Sequence, residues 1–371
     1  MRIRAFITHK KAEQFKDCQD RFSINVDTKS VAVSDGMSQS YQQKLWADLL
    51  VNTYTGNAQW EPNLESVKKL APLWNEKVRS FIQNLKDINA PQYLIIRNEN
   101  ALALRKSAGA TFCGIRFHGN KWNGYVLGDS CLIEIDKHKI QNLYTSQNCD
   151  EFDNHPDYFD SNPLNDGKGT PLAINGILGE STSIIMVSDP FSDFLLEKRK
   201  TGDEERYIKQ ILAINNHDEF EKLVDEWRDN HNMHNDDSTL IIIEYDGNSY
   251  FDIVNHDQIE AYIAEELKFA QEQNNNSNST KNPEEEKKTV KEPSNPNVTN
   301  MPKTINDDVE RVTFNFSDVP IEEFIQTGVY QYEKNKAMNE STVITPPKDD
   351  IGVVRITLED IYNIYYQYFN K

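Results

Sequence analysis

The stretch CQDRFSINVDTKSVAVSDGMSQS, Cys18–Ser40, places single acidic residues at the ends of apolar segments. Asp20 precedes an alternation of apolar and polar residues, and Asp35 follows the short apolar run VAVS directly before a glycine. Alternation and β-branched residues predict strands here. Each carboxylate is therefore expected at the rim of a sheet, where loops rather than the core surround it.

The same arrangement recurs further along the chain. Asp129 ends YVLGDS, Asp189 ends SIIMVSD, and Asp236 stands just before STLIIIEY. Several strands can thus aim carboxylates at one spot, and their mutual repulsion is relieved when cations occupy it. Hard divalent ions such as Mg²⁺ or Mn²⁺ suit an all-oxygen site. Two such ions about 3.5–4 Å apart can bridge a water, lower its pKa and deliver hydroxide to a phosphorus atom. This pattern favours phosphoester hydrolysis.

Each aspartate also has a purely structural explanation. Asp before Gly is a common turn signal, and NDDST, residues 235–239, also fits a loop closed by an Asx turn. The recurrence at the ends of several apolar runs favours the functional interpretation.

Composition narrows the class of protein further. The 371 residues carry 40 Lys and Arg against 59 Asp and Glu, and the net charge of −19 argues against nucleic acid as a general partner. Four scattered cysteines predict neither a zinc knuckle nor a disulfide framework. No apolar run approaches the roughly 20 residues that span a bilayer, so we expect a cytoplasmic protein without a membrane partner.

The character of the sequence predicts three regions. Residues 1–273 mix strand-like and helix-like segments, whereas residues 274–306 are polar, contain proline and are predicted to be a disordered linker. Residues 307–371 form a small C-terminal segment with a predicted terminal helix, TLEDIYNIYYQYFNK. That helix has two possible docking places, its own first domain or a groove of another protein.

Within the first region, helices and strands come in separate clusters. Helices are predicted over 41–53, over 63–85 with a bend or break at Pro72, and over 219–230. Short strands are predicted near residues 31, 110, 124, 131, 183 and 239. This order predicts a layered α+β fold rather than the strict alternation of a doubly wound parallel sheet.

Five motifs, CQDRF, VAVSDGMS, VLGDS, IIMVSDPFSDFL and NDDSTLIII, occur in this order between about Arg4 and Tyr245. Together they resemble the metal-dependent protein phosphatases of type 2C, the PPM family, and especially its bacterial branch. The resemblance implies a four-layer αββα sandwich of two antiparallel sheets flanked by helices, with a metal centre in a cleft at one end. It also implies a signalling enzyme that acts on phosphoserine or phosphothreonine in proteins and opposes a serine/threonine kinase.

The resemblance assigns roles to individual residues. Asp35 resembles the carboxylate that bridges two Mg²⁺ or Mn²⁺ ions, and the carbonyl of Gly36 resembles a ligand of one of them. Asp20 resembles an aspartate that binds through water. Asp189 and Asp236 resemble ligands of the other ion.

A weaker third metal site is also implied by the resemblance, at Asp129 and Asp193. Structural alternatives remain open for both residues. Asp129 is also suited to cap a β-turn, and Asp193 to begin the helix FLLEKR.

Three departures from the family pattern affect the expected site. Gln19 replaces a glutamate found in many members, and Pro190 follows Asp189 where the family has glycine, which removes an amide donor. The arginine that grips the substrate phosphate is not evident near Phe15 and Lys16. His9 and Lys16 are therefore the candidate catalytic cations, although a lone histidine beside a strand also has a structural interpretation.

The same departures motivate a second hypothesis. A catalytically weak or inactive pseudophosphatase would keep the fold and act as a regulatory module that binds phosphoproteins.

Overall fold

The computed structural model describes residues 1–147 and 156–255 in full, and the backbone alone of 310–313, 342–345 and 356–357. The chain divides into two compact units, Met1–Glu284 and Glu285–Lys371. The predicted linker at 274–306 lies outside the described residues, and so does the predicted terminal helix beyond Thr357.

The strands of the first unit are mostly short. In chain order they are β1 (Arg2–Thr8), β2 (Arg21–Asn25), β3 (Ser30–Ser34), β4 (Gly109–Ala110), β5 (Phe112–His118), β6 (Lys121–Leu127), β7 (Cys131–Asp136), β8 (Lys139–Tyr144), β9 (Phe159–Asp160), β10 (Leu172–Ile177), β11 (Thr182–Val187), β12 (Ser238–Glu244) and β13 (Asp252–Ile253).

The helices of this unit fall into two groups, one before β4 and one after β11. They are a short 3₁₀ turn (Phe15–Asp17), α1 (Gln43–Gly56), α2 (Leu64–Lys68), α3 (Ala71–Asp87), α4 (Gln92–Ala103), α5 (Asp189–Thr201), α6 (Glu204–Ala213) and α7 (His217–Asn230).

Two sheets form the centre of the unit. The first has the strand order β13-β1-β12-β11-β7-β8 and the second β10-β6-β5-β3-β2. Neighbouring strands are antiparallel apart from the short parallel pair β1 and β13. Their facing sides bury one apolar cluster, to which β3 contributes Val31 and Val33 and β12 contributes Ile241 and Ile243. Burial of such side chains is the main favourable term that holds the sheets together.

Helices cover the outer face of each sheet. On the first sheet, Phe191, Phe220 and Trp227 from α5 and α7 pack against Phe6 and Ile242. On the second sheet, α1, α2 and α3 pack their apolar stripes over β3 and β5, with side chains that include Trp46, Val67, Trp74, Val78, Ala32 and Phe112. The predicted four-layer αββα sandwich is therefore confirmed.

The helix predicted between residues 63 and 85 is divided into two helices, α2 and α3, close to Pro72, as the proline predicted. Asn63 accepts a hydrogen bond from Ser66 N and caps α2, while Pro72 lies in the first turn of α3, where no backbone donor is needed. The helices α4 and α6 were not predicted. None of the helices in the described part of the chain is long and apolar enough to cross a membrane.

The second unit contributes one small sheet to the description. Its strands are β14 (Glu310–Thr313), β15 (Thr342–Thr345) and β16 (Ile356–Thr357), in that order, with β14 parallel to β15. The described residues of the second unit contain none of the candidate site residues.

Candidate metal centre

One end of the sandwich collects the acidic loops. Thr8 pairs with Ser238, and Val187 pairs with both Leu240 and Cys131, so β1, β12, β11 and β7 present matching ends there. The loops at this end, together with those at the adjoining ends of β2, β3 and β6, carry the aspartates Asp20, Asp35, Asp129, Asp189, Asp236 and Asp237.

Asp20 lies deepest in this group, with no exposed surface. Its Oδ2 accepts a hydrogen bond of 2.7 Å from the Thr239 hydroxyl, and its Oδ1 is buried with no hydrogen-bond partner among the described residues. Burial raises the pKa of Asp20 well above its usual value, and the charges of Asp35 and Asp237 raise it further. Its carboxylate thus has one lone-pair face available for a cation.

Asp35 is held at the end of β3 by the neighbouring strand. Its N–H donates to the Thr111 hydroxyl at 3.1 Å, and its carbonyl accepts from Thr111 N at 2.9 Å. Burial, followed by the charges of Asp129 and Asp236, raises the pKa of Asp35 to about 7. The charges of Asp129 and Asp236 are close enough to shift the pKa of Asp35, so the Asp35 carboxylate lies near those of Asp129 and Asp236.

Asp129 occupies the connection between β6 and β7. It is 8% exposed, and its Oδ1 is buried without a hydrogen-bond partner in residues 1–147 and 156–255. Burial is the largest cause that raises the pKa of Asp129 to about 7, and the charge of Asp193 adds to it. The backbone N–H groups of Asp129 and Ser130 favour the charged form and lower the pKa of Asp129, so turn capping and cation binding are compatible here.

Asp189 is the first residue of α5. Ser188 precedes it with extended backbone angles, and Pro190 follows within the first turn, a position that tolerates the missing amide donor. Burial raises the pKa of Asp189 well above its usual value, and the charges of Asp35 and Asp129 raise it further.

Asp193 lies one turn later on the same helix. The expectation that it begins a helix is wrong, because α5 already begins at Asp189. Burial raises the pKa of Asp193, and the nearby cationic groups of His234 and Lys200 oppose this. Its charge also acts on Asp129, which places the two predicted third-site residues in one neighbourhood.

Gly36 continues the Asp35 loop in a tight space. A Cβ at this position would lie 3.1 Å from the carbonyl oxygen of Gln19 and 3.0–3.1 Å from atoms of Gln43. The glycine therefore lets the Asp35 loop approach the backbone that precedes Asp20.

The sequence analysis predicted Asp236 and missed its neighbour Asp237. Asp237 is only 2% exposed, and its two carboxylate oxygens accept from Lys10 N at 3.1 Å and from Gln19 N at 2.7 Å. Asp236 is 39% exposed and its charge reaches Asp35 and Asp189. The signal that could have found Asp237 is its spacing of two residues from Thr239. Alternate residues of an extended chain point to the same face, so Asp237 and Thr239 point inward together.

The side chain of Arg228 secures this loop from α7. Its guanidinium is 4% exposed and donates to the carbonyls of His9 and Asp236 and, at 3.1 Å, to the Ser238 hydroxyl. The β1 end and the β12 start are thus held together by a buried cation.

The structure places a further cation, Lys10, beside the carboxylates, in addition to the two that were predicted, His9 and Lys16. Lys16 is exposed, and its carbonyl accepts from Lys44 Nζ at 3.0 Å. The His9 ring lies in the electrostatic reach of Glu221 and His217 on α7. Lys10, which the sequence analysis did not single out, contacts the site directly.

The ammonium group of Lys10 lies 2.9 Å from Asp236 Oδ1 and 3.3 Å from the Ser38 hydroxyl, and the side chain is 17% exposed. Burial is the largest influence on the pKa of Lys10 and lowers it, but the hydrogen bond and charge of Asp236 outweigh burial, so the pKa is raised. The Lys10 ammonium is thus positively charged at the rim of the aspartate group.

The donor set fits hard cations that keep much of their water. Among the described residues, no three His, Cys, Asp or Glu side chains stand close enough together to form a preassembled cage. Mg²⁺ is usually held by one or two carboxylates plus waters, so it needs no such cage. The buried unpartnered oxygens of Asp20 and Asp129, in a group that contains carboxylates but no thiolate, suit Mg²⁺ or Mn²⁺.

A scan against protein-family models and a search of curated proteins found no match. A search of solved structures found similar chains. The Mycobacterium tuberculosis serine/threonine phosphatase PstP/Ppp has 13% identity and a TM-score of 0.41, covering 66% of this chain and 98% of its own. The catalytic domain of the serine threonine protein phosphatase PstP, in complex with 2 manganese ions, has 13% identity and a TM-score of 0.41, covering 65% and 96%.

The photosystem II phosphatase PBCP has 15% identity and a TM-score of 0.41, and the alignment covers 66% of this chain and 99% of PBCP. Each of these alignments covers about two thirds of this chain.

Proposed function

We propose that this protein is a metal-dependent phosphatase that hydrolyses phosphoserine and phosphothreonine in proteins. The observation that carries the proposal is the group of aspartates from separate loops at one end of the sandwich, two of which, Asp20 and Asp129, have a buried oxygen without a hydrogen-bond partner among the described residues. Buried polar atoms normally find a partner. Bound divalent cations and their coordinated waters would supply it and offset the repulsion among the carboxylates.

The ions would be held as the sequence motifs suggest. Asp35, the Gly36 carbonyl, Asp189 and Asp236 would hold the two ions, with Asp20 acting through water. Asp129 and Asp193 would hold a third, weaker ion. Bound Mg²⁺ or Mn²⁺ supplies a water of lowered pKa as the nucleophile for phosphorus.

The chain's own contribution to substrate binding would come from Lys10. Its ammonium is a compact positive charge with three donors at the rim of the carboxylate group, suited to a phosphate oxygen. The Ser38 hydroxyl, 3.3 Å from Lys10 Nζ, keeps the ammonium oriented towards the site. Lys10 therefore replaces His9 and Lys16 as the proposed phosphate-gripping residue.

Phosphatase assays test this proposal. We expect Mn²⁺-dependent hydrolysis of p-nitrophenyl phosphate and of a phosphothreonine peptide, with a loss of at least about 100-fold in Asp35→Asn, since the charge that binds the cation is removed. Asp166→Asn is a matched control, because Asp166 is 74% exposed and pairs with Lys68 of α2 rather than with a candidate site residue. Absence of metal-dependent turnover, or equal rates in the wild type and Asp35→Asn, contradicts the proposal.

A pseudophosphatase that binds phosphoproteins is the second candidate. It is favoured by the ion pair of Lys10 with Asp236, since an ammonium on a candidate ligand competes with a metal ion. Calorimetric titration with Mn²⁺ separates the two functions. Saturable binding that Asp35→Asn abolishes supports the enzyme, and no Mn²⁺ binding supports the module.

The proposal also covers the biological setting. The substrate would be a phosphorylated protein, the opposing enzyme a serine/threonine kinase, and the compartment the cytoplasm. The net charge of −19 disfavours nucleic acid as a partner.

A further inference from the structure

A second concave site lies at the opposite end of the first sheet. This cavity of about 410 Å³ is lined by the β7–β8 turn, the start of β11, the end of α6 and the end of β12. Ser183, which lines it, is separated from Asp189 by the length of β11, about 20 Å at 3.3 Å per residue. The cavity is therefore distinct from the aspartate group.

The register of the sheet places polar groups side by side at this end. Ser183 pairs with Ile135 on one side and with Glu244 on the other, and Glu244 pairs with Arg2. Side chains of directly paired residues point to the same face of a sheet. Ile135 belongs to the cluster beneath α5–α7, so the whole row lies on the helix-covered face.

A buried guanidinium already neutralises the carboxylate in this row. Arg4 is 2% exposed, donates to Glu244 Oε2 at 2.8 Å and also bonds to the Leu212 carbonyl at the end of α6. Leu212 and Glu244 both line the cavity. The Glu244 carboxylate at the cavity wall is therefore already paired with the buried Arg4 guanidinium.

The remaining charged groups make the cavity cationic. Lys137 and Lys209 line it, together with His138. Lys209 also contacts Glu205 at 2.7 Å, but both side chains are about half exposed, so this pair is weak. Three cations, Arg4, Lys137 and Lys209, therefore stand against two carboxylates, those of Glu205 and Glu244, in a chain of net charge −19.

We propose that this cavity binds a small phosphate-bearing anion. A local excess of positive charge attracts a phosphate anion, and lysine ammonium groups and serine hydroxyls donate the hydrogen bonds that phosphate oxygens accept. The site is independent of the chemistry at the aspartate group.

Calorimetric titration with inorganic phosphate and pyrophosphate tests the inference. The full chain is first stripped of metal on a chelating resin, so that the aspartate group repels anions and contributes no binding. We expect one saturable site, at least 10-fold weaker in the double variant Lys137→Ala, Lys209→Ala. The variant Lys137→Arg, Lys209→Arg keeps the charge and should keep most of the affinity.

The matched control is the double variant Lys69→Ala, Lys77→Ala, directly after α2 and on α3, which removes the same charge far from the cavity. It should bind like the wild type. No saturable binding to the wild type overturns the inference, and so does equal weakening in both alanine pairs, which would indicate only a general effect of net charge.

Discussion

At the scale of single residues, Asp237 joins two loops of the candidate metal centre. Its buried carboxylate accepts the backbone N–H groups of Lys10 and Gln19. In Asp237→Asn the side-chain oxygen can still accept one of these two N–H groups. The side-chain NH₂ replaces the second oxygen and cannot accept, so the other backbone N–H loses its partner. We expect a loss of about 1–3 kcal/mol in the free energy of unfolding, measured by urea denaturation. Asp229→Asn, at an exposed site, should cost much less, and equal losses would contradict the assigned role.

The proposed role of Lys10 gives a second prediction at this scale. Lys10→Ala removes a charged donor from the phosphate, so kcat/KM for a phosphopeptide should fall about 10- to 100-fold. Mn²⁺ affinity should stay equal or rise, because Asp236 loses its competing ammonium. Lys16→Ala should leave both quantities unchanged. A Lys16→Ala loss as large as that of Lys10→Ala would restore the sequence-based assignment.

The site residues differ in how far the sequence could predict them. Asp35 and Asp189 each follow an apolar strand, so their place at a sheet rim is a local property that the sequence carries. Lys10 and Asp237 depend on how the ends of β1 and β12 meet, a contact between residues 227 positions apart. Neither motif nor periodicity encodes that contact. Only the folded structure shows that Lys10 contacts Asp236, whereas Lys16 is exposed.

At the scale of elements, the start of α5 explains Pro190. The sequence analysis noted that this proline removes an amide donor, but Pro190 lies in the first helical turn, where φ near −65° is required and no donor is needed. Pro190→Gly should therefore destabilise the protein by about 1 kcal/mol or more, because the unfolded chain gains freedom and buried contacts are lost. Thermal unfolding should show this loss. Pro171→Gly, in the loop before β10, should cost less; a gain in stability for Pro190→Gly would contradict the argument.

The predicted elements succeeded where periodicity was strong. The apolar stripe of α3 and the apolar runs of β11 and β12 are long enough for the sequence to predict these elements. The helix α4 exposes Tyr93 and Ile96, at 57% and 39%, so its apolar residues do not form one clean stripe. The helix α6 has only 10 residues, and its buried side chains cover barely one turn and a half. Both α4 and α6 are therefore stabilised mainly by packing against neighbouring elements, which the sequence pattern does not show.

At the scale of the whole molecule, the aspartate group holds its carboxylates at a cost in stability that bound cations would offset. Burial and mutual repulsion raise the pKa of Asp35 to about 7 and that of Asp189 and Asp20 as well, so the metal-free fold holds carboxylates in an unfavourable setting. A cation that binds the folded state alone stabilises it, by about 2.7 kcal/mol at 100 times its Kd.

Thermal unfolding with and without Mn²⁺ tests whether cations stabilise the folded protein at the aspartate group. The wild-type Tm should rise with Mn²⁺ concentration. Asp35→Asn removes one repelling charge, so its metal-free Tm should equal or exceed that of the wild type, while its Mn²⁺-dependent rise should largely vanish. Asp166→Asn should follow the wild type in both conditions. An equal rise in Asp35→Asn would mean that Mn²⁺ stabilises the protein elsewhere, and a lower metal-free Tm would mean that the Asp35 carboxylate is a structural group, since losing a merely repelling charge cannot weaken the fold.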